Sequence, residues 1–113
     1  EYGNHPTPVR WIKVHNLPDH VFFSHQQHVV VGRQKCQTCH GEVQNMEVVK
    51  QAKLLTMKWC IDCHQKTQVA TKGNGYYEDL HSRMTPAFKA KVFKDGKLTV
   101  NEIGGWECAE CHY

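Results

Sequence analysis

Three stretches of the form Cys-x-x-Cys-His, nine histidines and a modest apolar supply of 40% in 113 residues predict the fold class. It is mostly coil with short helices and one small β-hairpin, packed around three covalently attached groups rather than a conventional core. The length allows one small domain. The longest strongly apolar runs, Val21-Phe22-Phe23 and Val29-Val30-Val31, are three residues each, whereas a membrane-spanning helix needs about 20. No direct membrane span is therefore expected in this chain. No basic-then-apolar leader precedes Glu1 and no Met starts the chain, so it reads as processed or cut from something longer. The formal charge of +3 is too mild to argue for nucleic acid.

All six cysteines fall in the three motifs: Cys36-Gln37-Thr38-Cys39-His40, Cys60-Ile61-Asp62-Cys63-His64 and Cys108-Ala109-Glu110-Cys111-His112. This is the c-type haem attachment signature. Two thiols add across the two vinyl groups of one porphyrin edge, and two intervening residues let the backbone turn between them. The adjacent histidine is carried beneath the ring to serve as proximal iron ligand. His40, His64 and His112 take that role. Three competing readings explain less. Cys36, Cys39, Cys60 and Cys63 alone have zinc-ribbon spacing, but this strands the third pair and leaves the repeated histidine to accident. A disulfide scaffold gives no reason for His after every second Cys. A thioredoxin-like pair wants a βαβ pattern, and none is visible. The chain therefore reads as a multihaem cytochrome c with three c-type haems.

His5, His15, His20, His25, His28 and His81 remain for the distal faces, twice the number three irons need. His25 and His28 are the first candidates: in Phe22-Phe23-Ser24-His25-Gln26-Gln27-His28 they stand three apart, so on a helical turn both leave from one face. Each can then reach a different iron. For the third iron, His15 and His81 both qualify and His20 is a weaker choice. Met57, three residues before Cys60, is a further alternative, although a thioether there more often packs on the ring.

Along the chain, residues 1–20 carry three of the four prolines and read as an extended N-terminal arm or linker. Residues 21–113 form the trihaem domain. Residues 21–64 hold the His pair and two motifs 24 residues apart. Val43 to Met57 has a partly apolar helical pattern through Met46, Val49, Leu54 and Met57. Gly73-Asn74-Gly75 marks a loop. Lys91 to Val100 alternates about Asp95-Gly96 and predicts a hairpin. Trp59 and Trp106, just before their motifs, are expected on haem faces. About 38 residues per haem cannot bury each one separately, so porphyrin supplies much of the core and the apoprotein is not expected to fold. With each ferric haem carrying about −1, the oxidised holoprotein falls near neutrality and the reduced form near −3.

Two imidazoles per iron leave no open position for a substrate, so outer-sphere electron transfer is expected and not catalysis. An enzymatic role would need one five-coordinate iron. Thioether attachment of haem takes place outside the bacterial inner membrane, which places the chain in the periplasm or facing it.

The stretch from Pro8 to Cys63 resembles the multihaem cytochrome subunit of alternative complex III. The resemblance rests on Val9-Arg10-Trp11-Ile12-Lys13-Val14-His15-Asn16-Leu17-Pro18, Phe22-Phe23-Ser24-His25 and Met57-Lys58-Trp59-Cys60. It implies a relay within a membrane-bound quinol-oxidising respiratory complex, with other subunits as redox partners. The full-length subunit has five haems and an anchor, so the chain would be its C-terminal part or a trimmed relative. The resemblance pairs His25 and His28 with the haems of His40 and His64. It makes His15 the first choice for the haem of His112, with His81 second. Phe23 to His28 is also similar to the small class III cytochromes c, which are soluble periplasmic shuttles.

Overall fold

The computed structural model describes residues 7–93 and 97–113. Five short α-helices carry the chain: α1 (Cys36–His40), α2 (Met57–Lys66), α3 (Gly75–Arg83), α4 (Pro86–Val92) and α5 (Cys108–Cys111). A π-helical turn spans Gln26–Val31, and 3-10 turns span Val43–Asn45 and Val100–Ile103. No strand forms among the described residues. Among these residues two isolated antiparallel bridges occur, Val21 with His112 and Gln68 with Thr99.

Two of the longer helices, α2 and α4, start where the sequence supplies a side-chain cap. The Thr56 hydroxyl accepts the Trp59 N–H at 3.2 Å to open α2, and the Thr85 hydroxyl accepts the Phe88 N–H at 3.3 Å to open α4. Pro86 occupies the first turn of α4, where its missing N–H costs nothing. All three attachment motifs begin as helix, which puts cysteines three apart on one side.

Two sequence expectations change. The pattern from Val43 to Met57 gives only the turn Val43–Asn45, and the chain then runs irregularly until α2. The predicted hairpin is also absent from its described part: Lys91 and Val92 close α4 instead. Its turn, Asp95-Gly96, lies outside the described residues. Beyond it, the Val69 N–H donates to the Leu98 carbonyl at 2.7 Å and the Val100 N–H to the Thr67 carbonyl at 3.0 Å. The alternation at 98–100 thus serves pairing with residues 67–69.

Packing is sparse. The apolar core among the described residues is Val69, Tyr77 and Leu98, flanked by Val31, Leu80, Phe93, Val100 and Ile103. The chain exposes 9614 Å², against about 6,400 Å² for a compact protein of this mass. Its radius of gyration is 18.1 Å, against about 13 Å for a compact domain. Trp11 and Ile12 on the N-terminal arm are 88% and 87% exposed. The polypeptide by itself builds little interior, and its order comes from specific tethers. Arg33 donates to the carbonyls of Lys72 and Gly73 at 3.1 and 2.8 Å, and the Asn74 amide donates to the Val31 carbonyl at 2.8 Å. These bonds hold the histidine-bearing turn against the loop before α3. Among the described residues no helix is long and apolar enough to cross a membrane.

Candidate haem-binding site

Ring geometry organises the site. The imidazoles of His25 and His40 lie with centroids 6.2 Å apart and planes 7° from parallel. Those of His28 and His64 are also 6.2 Å apart, at 30°. Two nitrogen–metal bonds of about 2 Å, with about 1 Å more from each nitrogen to its ring centre, place trans imidazoles about 6 Å apart. Both pairs have that separation. A cavity of about 300 Å³ is lined by Phe23, His25, His28, Cys36, Cys39 and His40, among others, so cysteines and facing imidazoles share one concave surface. The donor set and its spacing fit a c-type haem.

The local fold explains how one short segment serves two pairs. The turn begins directly after His25 and closes with the Gly32 N–H on the Gln27 carbonyl at 2.9 Å, a five-residue reach. The stretch holding His25 and His28 is closed by the His28 N–H on the Ser24 carbonyl at 3.3 Å, a four-residue reach, so both rings leave from neighbouring positions. The Phe23 ring fills the space between them. It stacks on His28 at 4.3 Å and meets His25 edge-on at 5.0 Å. The sequence reading had not assigned Phe23 a role; its place two residues before His25 was the available signal.

His112 has a different neighbour from the first choice of the sequence reading. The ring beside it is His20, 5.3 Å away and 17° from parallel. Two bonds bracket His20: the Phe22 N–H donates to the Cys111 carbonyl and the Tyr113 hydroxyl to the Asp19 carbonyl, both at 2.8 Å. His15 stands instead at His40, with Nε2 of His15 and Nδ1 of His40 3.0 Å apart. His81, on α3, meets Phe93 edge-on at 5.5 Å. Met57 opens α2 and is 66% exposed. Trp59 is half-buried and Trp106 exposed. His5 lies outside the described residues.

Behind the rings, Nδ1 of His64 meets the Gly105 carbonyl at 2.7 Å and Nδ1 of His28 meets the Ser24 carbonyl at 2.8 Å. A carbonyl can only accept, so each ring carries a proton on Nδ1, which leaves Nε2 as the nitrogen that can ligate iron. Gly105 can come this close only because it lacks a side chain. A Cβ there would stand 2.7 Å from Val100 Cγ1 and 3.1 Å from His64 Nδ1. The paired glycines Gly104-Gly105 are the sequence signal for this close backbone approach.

Electrostatics agrees with ligand duty. Burial, then His15 and His25, hold His40 below the ordinary imidazole value, which favours the neutral, ligating form. Burial pushes the Cys39 thiol up, with Cys63 and Cys36 adding to it. Burial also raises Cys60, followed by Cys111, Cys39 and Cys63, against a smaller lowering from a backbone hydrogen bond. The Cys60 thiol thus interacts with thiols of both other motifs. Among the described residues, no three His, Cys, Asp or Glu side chains converge as a tetrahedral zinc site requires.

Facing imidazoles beside paired attachment cysteines define a multihaem c-type cytochrome. Residues 21–113 match the family described as cytochrome c7 and related cytochrome c, and the chain belongs to that family. No curated protein matches the chain. Membership makes it an electron-transfer protein built on c-type haem.

Proposed function

We propose that the chain holds three c-type haems, each between two imidazoles, and relays electrons within a periplasm-facing quinol-oxidising respiratory complex. Its partners are then other subunits of that complex or redox proteins that dock to it. The ligand pairs in this reading are His25 with His40, His28 with His64 and His20 with His112. His20 takes the place that the resemblance to the alternative complex III subunit gave to His15. The observation that carries the reading is the pair of facing imidazoles at 6.2 Å. A bis-imidazole haem takes up and releases one electron without exchanging a ligand, and offers no position to a substrate.

The chain's own contribution is to hold the ligands still. The carbonyls of Gly105 and Ser24 fix two rings from behind, and the bonds at Asp19 and Phe22 set the reach of His20. The exposed apolar arm at Val9, Trp11 and Ile12 favours a domain joined to more protein. A free-standing soluble periplasmic trihaem shuttle is the second reading, favoured by the family match over 21–113.

A reduced-minus-oxidised spectrum with a haem-to-protein ratio tests the core claim, with three low-spin haems per chain expected. Carbon monoxide added to the reduced protein should leave the Soret band in place. His20→Ala should convert one haem to a high-spin, carbon monoxide-binding form, and the same change at His15 or His81 should not. A conversion in the His15 or His81 variant instead would reassign the third pair. Co-purification with membrane subunits separates the complex from the shuttle.

A further inference from the structure

His40 differs from His64 and His28 in what stands behind its ring. The other two meet backbone carbonyls, whereas Nδ1 of His40 meets Nε2 of His15 at 3.0 Å. The two rings are edge-on, 4.5 Å apart at 81°, while His25 faces His40 at 6.2 Å and nearly parallel. His15 is thus a third imidazole at this position, edge-on to the His40 ring and joined to it at Nδ1, rather than parallel to it as His25 is. It is also held there. The Asn16 N–H donates to the Gln51 side chain at 2.9 Å, and the Lys13 ammonium donates to the Leu17 carbonyl at 3.1 Å. His15 is half-buried, although Trp11, Ile12 and Val14 just before it are exposed.

We infer that His15 is a positioning residue that accepts the Nδ1–H of His40, fixing the plane of that ring and raising its donor strength toward iron. The inference rests on the ligand pairing proposed above. An imidazole nitrogen is a more basic acceptor than an amide carbonyl, so the shared proton is drawn further from His40 than from His64. A more basic axial ligand stabilises the ferric form. The haem of His40 therefore has a lower reduction potential than its proximal ligand alone would give it, and that offset is local to one of three sites. With His40 bound to iron through Nε2, its Nδ1 carries the proton, so neutral His15 accepts at Nε2 across the 3.0 Å contact and keeps its own proton on Nδ1.

The test uses the holoprotein, with His15→Phe and His15→Gln followed by spectropotentiometric titration and low-temperature electron paramagnetic resonance. His25→Ala identifies the signal belonging to the His40 haem, as the low-spin signal it removes. The expected result is that this haem alone rises in potential, in the order wild type, Gln, Phe, because the Gln amide oxygen still accepts a proton but less strongly. Its g-values shift while the other two signals stay in place. The order makes the Gln variant sufficient by itself: a smaller upward shift confined to one haem supports the inference even where the Phe variant does not accumulate. Unchanged potentials in both variants overturn it. An equal movement of all three haems overturns it too, since that is a general structural effect. Loss of a low-spin signal on changing His15 would make His15 an axial ligand, ending both the inference and the pairing. A His25→Ala variant with an unaltered spectrum would sink the pairing alone.

Discussion

Around His40, His64 and His112 the chain is ordered by imidazoles that face one another at a distance; around Val69, Tyr77 and Leu98 it is ordered by direct contact. The first region spans most of the chain and takes its geometry from hydrogen bonds behind the rings. The second is small, and each of its buried side chains contributes only about 1.5–3 kcal/mol. Three such residues fall well short of the conformational entropy of ordering a chain this long. The difference teaches that ordinary packing finishes this fold but does not found it. What the cysteines and histidines hold must supply the greater part.

The most severe way to break that comparison is to remove the middle attachment. Cys60 belongs to the second of the three motifs along the chain, and its thiol interacts with Cys39 of the first and Cys111 of the third. Cys60→Ala with Cys63→Ala should abolish cooperative thermal unfolding and most of the helical circular dichroism signal, although the Val69, Tyr77 and Leu98 cluster is untouched. A variant that still melts sharply near the wild-type temperature would show that the apolar cluster carries more than its area suggests.

A smaller effect sharpens the link between the two regions. Gly105 reaches His64 with its carbonyl and lies against Val100, which itself bonds back to Thr67 beside Val69. Gly105→Ala would force Cβ against the Val100 carbonyl at 2.8 Å, so the backbone must move and the bond to His64 lengthen. Overpacking of this kind costs about 1–3 kcal/mol. The expected outcome is a drop in thermal stability together with a changed paramagnetic signal from one haem. A stability loss with all haem signals unaltered would separate Gly105 from His64.

The sequence made the attachment points readable because the spacing of Cys36, Cys39 and His40, and of its two repeats, carries its own covalent geometry. That His25 and His28 come near different motif histidines, His40 and His64, was also readable in outline, since they are three residues apart on one turn. The neighbour of His112 was not. His20 comes to it through bonds joining residues 19 and 22 to residues 113 and 111, and no local pattern near His20 announces them. The hairpin expectation failed for a related reason. Leu98 and Val100 alternate because they pair with Thr67 and Val69, about thirty residues away in sequence, while the preceding half of the pattern belongs to a helix started by Thr85-Pro86. The missing helix after Val43 has no comparable explanation; the chain simply leaves the 3-10 turn at Met46 in an extended conformation. Local covalent chemistry is legible in one strand of text, and long-range tethers are not.

The smallest expected effect probes the apolar cluster by itself. Tyr77 is 9% exposed, and burial, then the neighbouring Tyr76, raises its hydroxyl above the ordinary value of 10. The folded chain therefore binds more protons than the unfolded chain at alkaline pH. Its contribution to stability is full below pH 10 and is lost as pH rises through the raised value. Tyr77→Phe removes that proton. Between pH 9 and pH 11 the melting temperature of the wild type should fall further than that of the variant, while the visible spectra of the two stay alike. Lysine deprotonation and other alkaline effects are common to both proteins and cancel in the difference. Equal falls would mean that Tyr77 meets solvent as freely in the folded chain as in the unfolded one. The contact-ordered region would then be smaller still, and the share left to the cysteines and histidines correspondingly larger.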